Sequence, residues 1–379
     1  MEESMRIYQA DKPEVHLFIL WNNGCRLREK LIDDLKNRFV IKAIIDFNWR
    51  KESFDSNLKR FYGQKLPKNS NKLRECGNGP FTAMIVEDPA PVYSLRMTTH
   101  GVCSVNINMF DIKERYRREA GSNVIHGTNS EEETEHDVTL LLGKSYHDLD
   151  FEKIHLSECG NDIVGANGWE SVQELLYVLN HTCKYVILRN FEGFPDNIQL
   201  GEHSDVDVLC QDYMSTKLIL NGEETTRRSC RVQNIVRIGE SFVNVDLRHV
   251  GDNYLDKRWE EAVLDNRVFQ PKGFYSPNER DYLYSLLYHA LIQKPVISKD
   301  YIVRIKGICE SAGMAPIDLN NEEAALETLT DFMKRNQYRF VEPKDRTVGY
   351  NFWKVHQKAG AYRTLLYLAC ALKRKLKGK

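Results

Sequence analysis

"VHLFILWNNGCRLREKLIDDLKNRFVIKAIIDF", residues 15–47, decides how the first part of the chain is read. It opens with an apolar run (15–21), passes into a stretch with helical spacing (25–39) and closes on a β-rich run (40–47). Outward from it, "GPFTAMIVED" (79–88) reads as a further strand opened by Gly-Pro. "SVNINMFDIKERYRREAG" (104–121) then switches to helical period. Strand, helix and strand, followed by a later strand and helix, predict an α+β sandwich over 15–145.

The chain as a whole reads as α/β (α+β), with more than one domain. Its 379 residues are enough for two or three separately packed cores. With 42% hydrophobic, 28% charged and 10% aromatic residues it has an ordinary globular composition, neither disordered nor fibrous. A formal net charge of −1 gives no overall attraction to nucleic acid or acidic membrane. The first twenty residues are acidic where a secretory leader is basic, and no apolar run reaches the roughly 18 residues of a spanning helix. Nine cysteines, an odd number with no CxxC pair, argue against a zinc site or a disulfide framework. The expected location is cytoplasmic.

Residues 146–168 are polar and punctuated by glycine, and read as a connector. A second region, 169–272, holds the helical "WESVQELLYVLNH", the strand "KYVILRN", the apolar-acidic "SDVDVLC" and a hairpin, "NIVRIGESFVNVDLRHV". The third, 273–379, is helical. Its first helix carries a capping signature, Ser276 as N-cap, Pro277 at the first helical position and Glu279 three residues after the cap. Further helices are expected at 298–312, 321–337 and 356–377. Tyr282, Tyr284, Leu286, Leu287, Tyr288, Leu291 and Ile292 cover too much of the first helix for a single narrow stripe, which places it between domains. His289 and Lys294 read as packed or surface residues. The apolar run and basic end at 362–379 admit weak contact with anionic lipid; a soluble helix with a frayed end is the preferred reading.

The acids of the middle region carry the clearest chemistry. In a strand, alternate side chains share a face, so Asp205 and Asp207 point one way while Val206 and Val208 face the core. A third carboxylate, Asp246 in "FVNVDLRHV", lies on a strand able to pair beside the first. Three acids so placed suit Mg²⁺ and phosphoryl chemistry. The competing reading is a charged, exposed strand edge.

Together these residues resemble the core of the DNA polymerase beta-like nucleotidyltransferase superfamily, whose hDhDh strand and later third acid are matched by Asp205, Asp207 and Asp246. The resemblance covers about 100 residues and implies a mixed-sheet palm, metal bound by the three acids and a nucleoside triphosphate donor. Where the family carries Gly-Gly or Gly-Ser for the nucleotide phosphates, this chain reads "LRNFEGFP". Arg189 and Asn190 therefore fall at the phosphate-binding stretch. Similar variants in nucleotidyltransferase-like proteins point to a sugar phosphate as acceptor.

"NVIHGTNSEEETEHDVTLLLG" (123–143) resembles the active-site signature of nucleoside diphosphate kinases, and with 15–145 implies a ferredoxin-like sandwich. On that resemblance His126 is the phosphorylated histidine, Asn123 touches the nucleotide sugar, Ser130 is the second serine and Asp137 orients the histidine. Glu131, Glu132 and Glu133 would sit in the first turn of the next helix, where the macrodipole favours them. Arg96 aligns with a phosphate-binding arginine, and Lys113 takes the place of another. Arg115, Arg117 and Arg118 form either a phosphate patch or a solvated helix face. The family's lysine in Lys-Pro-Asp-Gly is here Trp21 of "WNNG", a loss worth on the order of a hundredfold in rate.

The sequence therefore predicts a Mg²⁺-dependent nucleotidyl or related phosphoryl transferase at the three aspartates. Its N-terminal domain would bind nucleotide but be a poor kinase. The alternatives are a phosphohistidine kinase at His126 and a silent nucleotide-binding scaffold. A homo-oligomer is compatible with the sequence.

Overall fold

The computed structural model describes residues 8–63, 71–98, 101–154, 157–159 (backbone only), 162–198, 200–201, 205–225 and 233–356. The chain is a mixed α+β protein that divides into two compact units. One comprises Met1–Lys184, Met214–Glu223 and Val236–Phe242; the other comprises Tyr185–Tyr213, Glu224–Ile235 and Val243–Lys379.

The first unit contains strands β1 (Tyr8–Gln9), β2 (Glu14–Leu20), β3 (Val40–Phe47), β4 (Phe81–Asp88), β5 (Val92–Thr98), β6 (Gly101–Asn106), β7 (Ile125–Gly127) and β8 (Ser157–Cys159). Between and after them come helices α1 (Arg28–Lys36), α2 (Phe54–Phe61), α3 (Asn71–Cys76), α4 (Ile107–Ala120), α5 (Glu131–Leu142), α6 (Phe151–Ile154) and α7 (Val172–Thr182). The main sheet has the order β7-β2-β4-β3-β8. Its first four strands are antiparallel throughout, the ferredoxin-like arrangement. The apolar end of β2, residues 17–20, is continuous because the strand is central and buried on both faces. Phe18 and Leu20 on one face pack with Leu31 and Leu35 of α1 and Met109, Ile112 and Tyr116 of α4.

The boundaries of α4 are written locally. Asn106 caps it by accepting from the backbone N–H groups of Asn108 and Met109, and Gly121 ends it with φ 68°. The connector holds more than a linker, since its β8 pairs in parallel with β3. α7, read as the opening of the middle region, packs beside α5 in the first unit.

The second unit contains β9 (Tyr185–Ile187), β10 (Val206–Cys210), β13 (Ser241–His249, from Val243 on), β14 (Val268–Gln270) and β15 (Phe274–Ser276). The neighbouring pieces α8 (Tyr213–Leu220), β11 (Glu223–Glu224) and β12 (Gln233–Ile238) complete the segment, and the sheet order is β11-β12-β13-β10-β9. β10 is flanked by β13 in parallel and β9 in antiparallel pairing.

Helices α9 (Lys257–Asp265), α10 (Glu279–Tyr288), α11 (Lys299–Ser311) and α12 (Glu322–Arg335) follow. The apolar side chains of α10 are covered within this unit, by Trp259 and Val263 of α9, Ile305 of α11 and Leu329 and Phe332 of α12. That explains its breadth of burial. The N-cap of α10 is Asn278, two residues after the expected Ser276. Asn278 Oδ1 accepts from the Asp281 backbone N–H at 2.8 Å and its Nδ2 donates to the Asp281 carboxylate at 2.8 Å, while Ser276 belongs to β15. The closer residue wins because it has a side-chain partner one turn in.

The helix expected at 356–377, with its basic end, lies outside the described residues beyond His356. Among the described residues no helix is long and apolar enough to cross a membrane, and Cys25, Cys76, Cys103, Cys183, Cys210 and Cys309 are free thiols.

Candidate functional sites

Parallel pairing of β10 and β13 places Asp207 directly opposite Asp246. Asp205 sits one residue before β10, and one oxygen from each of the three carboxylates lies within 4.8 Å of the others. β10 is not an edge strand and Asp207 is only 3% exposed, so the reading as an exposed charged edge fails for Asp207, whereas Asp205, just outside the strand, is exposed. Burial, then the charges of Asp207 and Asp246, push the Asp205 carboxyl up to about 6. An all-oxygen donor set with crowded negative charge fits a hard divalent cation.

One positive charge is already supplied by the chain. Arg189 Nη2 donates to Asp207 Oδ1 at 2.5 Å, and its Nη1 donates to the Tyr254 hydroxyl. Burial opposes the guanidinium's charge, but Asp207 and Tyr254 more than offset it and raise its pKa. Arg189 is thus turned onto a carboxylate. Asn190, which adopts φ 61°, accepts from Arg304 at 2.5 Å.

Other partners were not anticipated from the sequence. Arg248 lies 3.8 Å from Asp246, pairs with Asp345 at 2.9 Å and stacks over the Tyr254 ring. His289 is buried against Tyr254 and Gln293, a packed residue. The two-residue spacing from Asp246 to Arg248 was the available signal for Arg248; Asp345 had none, being 97 residues from its partner.

The second site belongs to the first unit. β7 carries His126 to the floor of a cavity of about 820 Å³, lined among others by Tyr62, Lys72, Lys113, Arg117, Asn123 and Glu133. His126 Nε2 and Asp137 Oδ2 are 2.7 Å apart, and Asp137 Oδ1 meets His136 Nδ1 at 2.9 Å. Burial presses the Asp137 pKa upward, but the charge and hydrogen bond of His126, with those of His136, hold it below its usual range. Glu133 Oε1 stands 4.0 Å from His126 Nε2, so His126, Glu133 and Asp137 also form a potential metal-ligand group.

Gly127 is required beside the histidine, because a Cβ there would meet the Phe18 ring at 2.9 Å. Ser130 caps α5 by accepting from the Glu133 N–H at 3.2 Å, and Glu131, Glu132 and Glu133 occupy its first turn.

The remaining sequence candidates are distributed unevenly around this cavity. Asn123 lines it, with its Nδ2 donating to both Glu75 carboxylate oxygens at 3.1 Å. Lys113 lines it with its ammonium bound to Gly127 O at 2.9 Å and Asn129 Oδ1 at 2.8 Å; burial lowers its pKa to about 8. Arg96, on β5, folds onto Ser94 and Leu95 and is not among the lining residues. Trp21 is wholly buried among Trp49, Phe54, Phe61 and Phe81. Lys72, Tyr62 and Glu75 were not anticipated, since the polar segment around them carries no pattern.

No protein-family model and no curated protein matches this chain. Among solved structures it is similar to an orthorhombic crystal form of the nucleoside diphosphate kinase of Aquifex aeolicus. The identity is 17%, over 33% of this chain and 92% of that one, with a TM-score of 0.24.

Proposed function

We propose that the protein is a divalent-metal-dependent phosphoryl or nucleotidyl transferase working at Asp205, Asp207 and Asp246. The observation that carries this reading is the β10–β13 register, which brings carboxylates separated by about 40 residues into one cluster of ligand oxygens within 4.8 Å. Asp205, Asp207 and Asp246 would hold Mg²⁺, which would supply Lewis-acid stabilisation of charge developing on phosphoryl oxygens. Arg189, itself held by the Tyr254 hydroxyl, fixes the orientation of Asp207, and Arg248 flanks Asp246. Nucleoside triphosphate is the proposed donor class, and the acceptor is left open among a sugar phosphate, a nucleotide, a protein and a nucleic acid.

The cleanest test is Asp246→Asn, because Asp246 is half-buried and Asp207 also balances Arg189. Metal-dependent release of pyrophosphate (nucleotidyl transfer) or nucleoside diphosphate (phosphoryl transfer) from nucleoside triphosphates, over a panel of acceptors that includes sugar phosphates, should fall on the order of a hundredfold or more. Full activity in the variant removes the assignment.

A second reading attaches to the other unit. The 2.7 Å His126–Asp137 pair at the floor of a cavity of about 820 Å³ supports a pocket for a phosphate-bearing ligand. Label transferred from a γ-labelled nucleoside triphosphate and lost in acid would extend that to a phosphohistidine; acid-stable label or none limits the pocket to binding.

A further inference from the structure

We infer that Lys72, on α3, is the cation that receives the anionic group of a ligand in the His126 cavity. This rests on reading that cavity as a pocket for a phosphate-bearing ligand. Among the described residues, three cationic side chains other than His126 line the cavity: Lys72, Lys113 and Arg117. Two of them are already engaged. Lys113 is bound by Gly127 O and Asn129 Oδ1, and Arg117 donates to Glu114 at 2.9 Å and to Ile125 O at 3.2 Å.

Lys72 differs from both. Among the described residues its ammonium has no hydrogen-bond or ion-pair partner, and it lies 4.2 Å over the centre of the Tyr62 ring. Glu75, three residues on, spends both oxygens on Asn123. The Tyr62 ring stands edge-on to His126 at 5.8 Å, so the aromatic platform under the ammonium also borders the histidine. Burial lowers the Lys72 pKa, a cost that an arriving anion relieves. The aromatic ring holds the cation in place without neutralising it. Trp21, sealed in the aromatic core, can contribute no charge here.

The test is calorimetric titration of the full chain with inorganic tripolyphosphate and with ATP, both in EDTA so that the aspartate cluster holds no metal. The unaltered protein should bind each. Lys72→Gln should weaken binding about tenfold or more, as expected for one lost charge-assisted contact, and Lys72→Arg should restore most of it. Ligand should also protect Lys72 of the unaltered protein from amine acetylation, read by peptide mass spectrometry, which covers the case of a variant that does not fold. Absence of binding by the unaltered protein overturns the pocket reading and this inference with it. Equal binding by Lys72→Gln, or acetylation of Lys72 unaffected by ligand, overturns the role of Lys72 alone.

Discussion

Asp207 and Arg189 form a buried pair whose removal is predicted to be strongly non-additive. Their side chains are 3% and 13% exposed and 2.5 Å apart. Asp207→Asn leaves the Arg189 guanidinium buried with only the Tyr254 hydroxyl, and losing one partner of a buried pair costs about 3–5 kcal/mol. Arg189→Met leaves Asp207 beside Asp205 and Asp246 with no buried counter-charge on its own oxygen, and should cost about as much. Removing both abolishes the uncompensated charge, so the double variant should be less destabilised than the sum by about 2–3 kcal/mol. Urea unfolding of the four proteins in EDTA, followed by tryptophan fluorescence, measures this coupling. Additivity within about 0.5 kcal/mol would show that the pair is not coupled, and would refute the picture of Arg189 as the built-in counter-ion of the cluster.

Three other outcomes follow from the same structure. Glu260 is fully buried, and burial, then the charge of Asp252, raises its carboxyl to about 8; because the unfolded chain loses this proton first, stability should fall as pH rises from about 4.5 to about 8. Glu260→Gln should flatten that slope in urea titrations across the range, and an unchanged slope contradicts it. Trp21→Lys should cost about 4 kcal/mol or more by emptying an aromatic site and burying an ammonium; a melting temperature equal to the parent's, read by circular dichroism, would be inconsistent with this packing. Asn278→Ala should lose about 1 kcal/mol through the α10 cap, with a smaller loss than about 0.3 kcal/mol assigning the cap elsewhere.

Much of the first unit was legible in the sequence because its signals are local. The run at 40–47 coincides with β3, and Asn106 and Gly121 mark the two ends of α4. β8 went unread since three residues at a sheet edge carry too few positions to show a period. The cap of α10 was misplaced because Ser276 and Asn278 both satisfy the residue preference; only the partner Asp281 distinguishes them.

By itself the sequence singled out candidate groups: alternation put Asp205 and Asp207 near one another, and the residues around His126 named Asp137 as its companion. The tertiary structure decided what each of those groups is bound to. Strand register brought Asp246 opposite Asp207, and folding turned Arg189 onto Asp207 and Glu75 onto Asn123. It also consigned Trp21 to the core and brought Lys72 to the cavity in which His126 lies. The reason is physical: periodicity fixes the direction of a side chain relative to its own backbone, whereas its partner is selected by packing between segments distant in sequence.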